Sequence, residues 1–377
     1  MSEPAFGAYL HIPFCSRRCD YCAFATWTDR GHLVDRYLAG LATELERAVA
    51  DGLPPLTSVF VGGGTPTLVP PEGLVGVLSR LPLAPGAEVT VEANPDTVSA
   101  ASLRTYRRGG VTRMSFGVQS MQPHVLAALG RTHDPDNVRR AVAWTRDAGF
   151  ETFNLDLIMG AAGESVDDWT ATLEATLALE PPHVSAYGLT VEPGTPLAAD
   201  PDRHPDDDDQ ADKYLLADRL LAGAGLRWYE VSNWARPGHE CRHNRLYWDA
   251  GDYLGFGCAA HSHRQGRRWW NLRTPERYLD AVEAGTSTEA AGEALDPHER
   301  ALEALQLALR TREGVPAVAL DTADPALDGL VARVGDRLVL TPTGRLLANE
   351  VAVRLRADGT AVAVGPPGQG RGGSSST

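Results

Sequence analysis

Lysine is almost missing from this chain of 377 residues: Lys213 is the only one among 35 basic side chains, which face 49 acidic ones for a formal net charge of -14 and a pI near 5.2. A surface of that sign repels phosphate backbones, which excludes a generic nucleic-acid binder. Long apolar runs are also missing. Nothing approaches the roughly 18 consecutive apolar residues of a membrane span, so none is expected. The start, Met1-Ser2-Glu3-Pro4, has neither a basic region nor an apolar core, so no secretory signal is expected and the chain is placed in the cytoplasm. Cysteine is scarce and odd in number, five in all, with Cys15, Cys19 and Cys22 packed into one short stretch. Without an export signal that pattern argues against a disulfide framework and for a metal held in a reducing compartment.

What is present is an alternation. Short β-like runs at 8–14, 58–61, 88–92, 113–118, 153–159 and 183–189 are separated by helical patterns near 33–50, 71–81, 99–108, 135–148, 165–179 and 208–224. In the first helix Leu38, Leu41, Leu45 and Val49 recur every three or four residues, giving one buried face. Six successive βα units predict a parallel sheet with helices outside it. Eight would close a TIM barrel, so six predict a partial (β/α)6 TIM-like barrel, with functional residues at the C-terminal strand ends. The alternation stops near residue 225. The expected divisions are a barrel over 1–225, an aromatic and His-rich extension over 226–290, a smaller C-terminal α/β domain with a winged-helix-like order over 291–357, and a disordered Gly/Ser-rich tail over 358–377.

The cysteines sit just after the first predicted strand, as Cys15-Ser-Arg-Arg-Cys19-Asp-Tyr-Cys22. Three thiols so spaced suit one metal centre that lacks a fourth protein ligand. Zinc would need that ligand from His11, Cys241 or Cys258, whereas an iron–sulfur cluster accepts three. One βα unit later Gly62-Gly63-Gly64-Thr65-Pro66 allows close backbone approach to a ligand, although a tight turn would explain it too. Glu92, Gln119 and Asp156 put polar groups on the next three strands. An acid among strand apolars, as at Asp156, is costly unless it is paired or binds something.

Together these segments resemble the radical S-adenosylmethionine (SAM) superfamily. The resemblance implies a 4Fe-4S cluster on Cys15, Cys19 and Cys22 whose fourth iron is chelated by SAM. Tyr9-Leu10-His11-Ile12-Pro13-Phe14-Cys15, Gly117-Val118-Gln119-Ser120 and Asp156-Leu157-Ile158-Met159-Gly160 narrow it to the oxygen-independent coproporphyrinogen III oxidase family. That family implies Tyr9, Gly63, Glu92 and Thr190 as contacts to the cluster-bound SAM. It implies Tyr21, Gly64, Thr65, Gln119, Arg131 and Asp156 as contacts to a second SAM.

Two departures point away from the oxidase itself. Phe24 stands where the oxidase carries a further cysteine, and the long extension that precedes the barrel in the oxidase is expected to be missing here. Both match the oxidase-like branch of heme chaperones, whose His-Asn-x-x-Tyr-Trp pattern is met by His243-Asn244-Arg245-Leu246-Tyr247-Trp248. That branch implies heme as ligand, with His243 as axial ligand and Tyr247 and Trp248 against the macrocycle. A core or capping role for His243 is the alternative, and Cys241 and His261 are rival ligands. The expected function is heme binding and transfer to an acceptor protein, a respiratory one being one option, using the cluster and SAM. The alternative is an oxidoreductase, a coproporphyrinogen III oxidase that decarboxylates its substrate to protoporphyrinogen IX. A third reading is radical chemistry on another tetrapyrrole. An electron donor is expected if SAM is cleaved, and a homodimer is a further option. The C-terminal domain is assigned a packing or lid role, since Arg333, Arg337 and Arg345 are too few for DNA.

Overall fold

A computed structural model describes residues 5–357; the tail expected to be disordered, 358–377, lies outside the described residues. In chain order the barrel consists of β1 (Phe6–Ile12), α1 (Val34–Ala50), β2 (Leu56–Gly63), α2 (Pro71–Leu78), β3 (Leu83–Ala93), α3 (Ala100–Arg108), β4 (Arg113–Gln119), α4 (Pro123–Ala128), α5 (Pro135–Asp147), β5 (Thr152–Met159), α6 (Val166–Leu177), β6 (His183–Gly188) and α7 (Asp207–Gly223). Strands β1 to β6 lie side by side in that order, all parallel. The predicted partial (β/α)6 architecture is therefore observed.

Most parallel sheets are apolar on both faces. Here one face is apolar and the other is not. Ala8, Leu10, Val59, Val61, Val91, Met114, Phe116 and Leu155 point out under the helices and are buried. Their alternates share register on the inner face: Tyr9 beside Phe60, Phe60 beside Thr90, Glu92 beside Ser115, and Gly117 beside Asp156. Strand periodicity thus lines the lumen with polar and aromatic groups while the hydrophobic effect glues the helices on outside. Helix α1 buries Tyr37, Leu38, Leu41 and Leu45, but Val49, assigned above to that face, is 39% exposed at the helix end.

Two compositional oddities find structural explanations. The acidic run caps α7: the Asp206 side chain accepts from Asp209 N–H, and Asp207, Asp208 and Asp209 fill the first turn, where the helix dipole favours negative charge. The lone lysine, Lys213, is fully buried, with Nζ 2.7 Å from Asp209 and 3.2 Å from Glu164.

After residue 225 the chain does not leave the sheet. Strands β7 (Arg227–Glu230) and β8 (Asn233–Ala235) extend it beyond β6. Helix α8 (Arg242–Trp248) intervenes, and β9 (Asp252–Phe256) then pairs in parallel with β1 at the opposite edge. Strands β10 (His261–Arg264) and β11 (Arg267–Asn271) continue outward, followed by α9 (Pro275–Ala284) and β12 (Glu289–Ala294), which completes twelve strands. No clean period showed in the sequence there because these strands are short and their faces are of mixed polarity. The last part holds α10 (Pro297–Leu309), β13 (Val315–Pro316), β14 (Val331–Val334), β15 (Arg337–Leu340), α11 (Pro342–Leu346) and α12 (Ala348–Ala352), with its own small core around Leu305, Leu309, Val315 and Leu338. Its three-stranded antiparallel sheet with adjoining helices is winged-helix-like. It attaches on the side of β7 and α8, through Arg345–Asp218 at 2.9 Å, Arg312–Glu240 at 3.0 Å and Arg345 stacked 3.8 Å over Trp228. That placement fits packing rather than a lid over the strand ends.

Candidate functional site

The three cysteines lie on a loop that leaves the barrel between Phe14 and Trp27 and is tied off at its base. Cys15 N–H donates to Trp27 O at 3.1 Å and Trp27 N–H donates to Pro13 O at 2.8 Å. Its tip is pinned as well: Asp20 N–H donates to Leu129 O, Leu197 N–H donates to Asp20 O, and the Asp20 carboxylate pairs with Arg203 at 2.9 Å. The sulfurs are partly exposed and none is in a disulfide. Burial pushes the Cys15 and Cys22 thiols up, while Thr65 Oγ1, 3.8 Å from Cys15 Sγ, acts the other way on Cys15. The Arg131 guanidinium stands 3.6 Å from Cys19 Sγ.

The glycine loop packs directly against this base. Gly64 N–H donates to Ile12 O at 2.7 Å and Thr65 N–H to Phe14 O at 2.8 Å. A Cβ on Gly64 would stand 2.5 Å from Phe14 O, a backbone atom that cannot swing away. Gly63 has φ +106°, and a Cβ there would meet the His11 ring at 2.5 Å. Gly64→Ala is therefore expected to displace the root of the cysteine loop, costing about 1–3 kcal/mol by overpacking. Its cluster content after reconstitution should drop below that of the parent, as measured by iron and sulfide analysis.

Along the strand ends sit two carboxylates, Glu92 and Asp156. Glu92 Oε2 accepts from Gly63 N–H at 3.3 Å. Asp156 accepts from Ser115 Oγ at 3.2 Å and Asn154 Nδ2 at 2.7 Å, and neither acid forms an ion pair among the described residues. Each keeps one side open to the lumen while the barrel wall strips away most bulk water. Glu92 is pushed up to about 8, first by that desolvation and then by the charge of Asp156; burial also raises Asp156. Gln119 ends β4 at φ +64°, a left-handed backbone that bulges the strand and turns the side chain toward Gly117 and Arg131. Among the described residues the guanidinium Nε of Arg131 is buried without a hydrogen-bond partner.

The other end of the lumen is closed by α8. The Glu88 carboxylate receives the start of this helix, accepting from Arg242 N–H at 2.9 Å, His243 N–H at 3.4 Å and the Cys241 thiol at 3.5 Å. His243 then points up into the barrel, fully buried, with Nδ1 3.0 Å from Ser58 Oγ and Nε2 2.8 Å from the Tyr247 hydroxyl. Its ring stacks on Phe60, and burial pushes it down to about 3. Both nitrogens are hydrogen-bonded here, and as an axial ligand His243 would give up one of these two bonds. Trp248 turns away to lie beside Glu230. Of Tyr247 and Trp248, it is Tyr247 that faces the space beside the cysteine loop.

That space is a cavity of about 490 Å³ between the cysteine loop and the β9–β11 extension, walled by Tyr9, Phe24, Tyr247, Tyr253, His261 and Arg273, with His11 beneath. Tyr21 lines a small recess with Leu129, Leu189, Leu197 and Arg203 while its hydroxyl faces Cys19 and Arg131, and Thr190 is exposed just past β6. The structure therefore gathers Tyr9, Gly63, Gly64, Thr65, Glu92, Gln119, Arg131 and Asp156 around the cysteine loop. Tyr21 belongs to the same group, with its hydroxyl against Cys19, whereas Thr190 stands at the margin and Trp248 outside it. Glu88, Tyr253 and Arg273 were not singled out from sequence. For Glu88 a signal existed: it lies four residues before Glu92 and so shares its strand face.

A model of the Radical SAM superfamily matches residues 9–176. The Mycobacterium tuberculosis protein named heme chaperone HemW is 44% identical over 93% of this chain and 95% of its own. The chain belongs to the heme chaperone HemW family. The HemW of Escherichia coli is 36% identical over 92% of this chain and 97% of its own. The solved structure of the E. coli coproporphyrinogen III oxidase HemN superposes with a TM-score of 0.80 at 23% identity, covering 93% of this chain and 90% of that one, which establishes a shared fold. The radical SAM cofactors of a HemW family member, a 4Fe-4S cluster and SAM, fit the residues present. Among the described residues no three His, Cys, Asp or Glu side chains converge on one ion. A cubane does not require that, because it presents a separate iron to each thiolate. The carboxylates Glu92 and Asp156, neither in an ion pair among the described residues, suit the cationic groups of SAM, and the glycine loop leaves room for its approach.

Proposed function

We propose that the chain binds heme in the aromatic cavity beside the cysteine loop and passes it to an acceptor protein, in the cytoplasm. In this reading Cys15, Cys19 and Cys22 hold the cluster. Gly63, Gly64, Glu92 and Asp156 seat SAM at the strand ends, with Tyr9 at the border between SAM and heme. When bound, the cluster supplies an electron and SAM a reducible sulfonium. The chain's own groups orient SAM through backbone N–H groups and carboxylates, and exclude water with Phe60, Tyr9 and Tyr247. The partners named here are heme, an acceptor of the respiratory class, an electron donor where SAM is cleaved, and a second copy of the chain.

The observation that carries the reading is the cavity itself, which has a size suited to a large flat ligand and aromatic walls. Phe24, where the oxidase would carry a thiol, supports binding over decarboxylation. Heme titration of anaerobic, cluster-replete protein should give a saturable Soret change at about one heme per chain. Coproporphyrinogen III incubated with the reduced protein and SAM should remain unconverted; its conversion to protoporphyrinogen IX would establish the oxidase instead.

Glu92 makes SAM binding dependent on pH. A carboxylate held near 8 is mostly protonated at neutral pH, and it must ionise to pair with a cation, so SAM binding releases a proton. Affinity should rise by up to about tenfold per pH unit below 8 and level off above it. In the ligand-free fold the sign is opposite. The raised carboxyl is ionised only at a cost, so its contribution to stability falls as pH climbs from its ordinary range toward 8. Isothermal titration between pH 6 and 9 checks the slope, which Glu92→Gln should flatten.

A further inference from the structure

We infer that His183 is a positioning residue for SAM: through Asn154 it fixes the orientation of the Asp156 carboxylate. The inference rests on the reading above that Asp156 seats SAM, and it gives a role to a histidine that stands one layer behind that carboxylate.

Strand register brings the groups together. On the inner face Ser115, Asn154 and His183 pair across β4, β5 and β6, and Asp156 and Ser185 form the next layer. All but Asp156 are buried, so each polar atom needs a partner inside the barrel. Asn154 Nδ2 stands 2.7 Å from Asp156 Oδ1, 2.8 Å from Ser115 Oγ and 2.9 Å from Ser185 Oγ. Asn154 Oδ1 stands 2.7 Å from His183 Nδ1. The serine protons are used elsewhere: Ser115 donates to Asp156 Oδ2 at 3.2 Å, and Ser185 donates to Asn233 Oδ1 at 2.7 Å. On the far side of the ring, His183 Nε2 stands 2.8 Å from the Tyr229 hydroxyl, whose oxygen accepts from Cys241 N–H at 3.3 Å.

These contacts admit one consistent set of proton positions. In the ionised form that meets a cationic ligand, Asp156 only accepts, so Asn154 turns its amide N–H groups toward it and its carbonyl toward His183. Burial and the Arg113 charge hold the His183 pKa well below its ordinary value, so the ring carries a single proton. That proton sits on Nδ1 and is donated to Asn154 Oδ1, while the Nε2 lone pair accepts the Tyr229 O–H. The other tautomer would set a lone pair against the Asn154 carbonyl. Asn154 could answer only by flipping its amide, which would aim the carbonyl oxygen at the Asp156 carboxylate. The ring's edge contact with Tyr229, with centroids 5.5 Å apart, holds the imidazole in place. His183 thus acts on the ligand through two other side chains, as outer partners do for metal ligands.

The test is isothermal titration of SAM into the full, cluster-replete chain under anaerobic conditions. His183→Phe keeps an aromatic ring but loses both nitrogens, and SAM affinity should fall about tenfold at unchanged iron content. His183→Asn returns an N–H close to the position of Nδ1 and should bring affinity back to within about threefold of the parent. Both variants strand the Tyr229 hydroxyl, so both should melt below the parent. A purely structural role would make affinity follow Tm rather than the N–H donor. 15N NMR of the histidine-labelled parent reads the tautomer independently of either variant's stability, and should place the proton on Nδ1. Parent-like affinity in His183→Phe, equal losses in the two variants, or a proton on Nε2 would overturn the inference while leaving Asp156 as a SAM contact. Asp156→Asn that binds SAM as tightly as the parent would overturn that contact, and the inference with it.

Discussion

Changing any one of Cys15, Cys19 or Cys22 to alanine should reduce iron from about four atoms per chain to near background after anaerobic reconstitution, with acid-labile sulfide falling in parallel. The expected effect is this large because the structure offers no substitute thiol. Cys241 lies at the far end of the lumen against Glu88, and Cys258 is buried behind Tyr37, whose hydroxyl stands 3.5 Å from its sulfur. Neither can reach a loop whose base and tip are fixed by the Cys15–Trp27 and Asp20–Leu129 hydrogen bonds. Cys241→Ala is the matched control and should keep its iron. A full cluster in any of the three loop variants would place the ligands elsewhere.

The second large effect is expected from Glu88→Ala. One carboxylate receives the first two N–H groups of α8 and the Cys241 thiol inside the barrel, where water cannot replace it. Its removal strands two backbone donors at about 1–3 kcal/mol each, for a loss of about 2–6 kcal/mol. The consequence extends to function. His243 and Tyr247 are positioned by this helix, and Tyr247 walls the cavity, so heme affinity should fall along with the apparent Tm. Glu88→Gln keeps one acceptor oxygen and should lose much less. Thermal melts of the three proteins, paired with heme titration, check the difference; equal melts for Glu88→Ala and the parent would show that α8 is held by other contacts.

The parts of this molecule legible in sequence are those written in local periodicity. Period-two runs such as Arg113–Gln119 and the helical spacing of Leu38, Leu41 and Leu45 revealed six βα units to within a few residues, because each unit buries its own apolar face. The cysteine loop and the glycine loop were legible because chain-neighbour spacing sets their chemistry. What could not be read was anything closed by distant contacts. Glu88 meets α8 across about 150 residues of chain, a pairing that no window of sequence contains. The His243 motif was visible as a pattern, yet its role depends on Ser58 and Phe60, two residues on another strand. The unevenly patterned stretch after residue 225 concealed six strands of the main sheet, since strands of three to six residues carry too little alternation to detect.

Transfer of heme is tested by mixing heme-loaded, cluster-replete chain with an excess of an apo-hemoprotein acceptor in the presence of SAM and following the Soret band. The spectrum of the donor complex should disappear as that of the holo-acceptor grows, faster than free hemin at the same concentration would load it. Heme that stays on the chain, or that reaches the acceptor no faster than free hemin does, would contradict it.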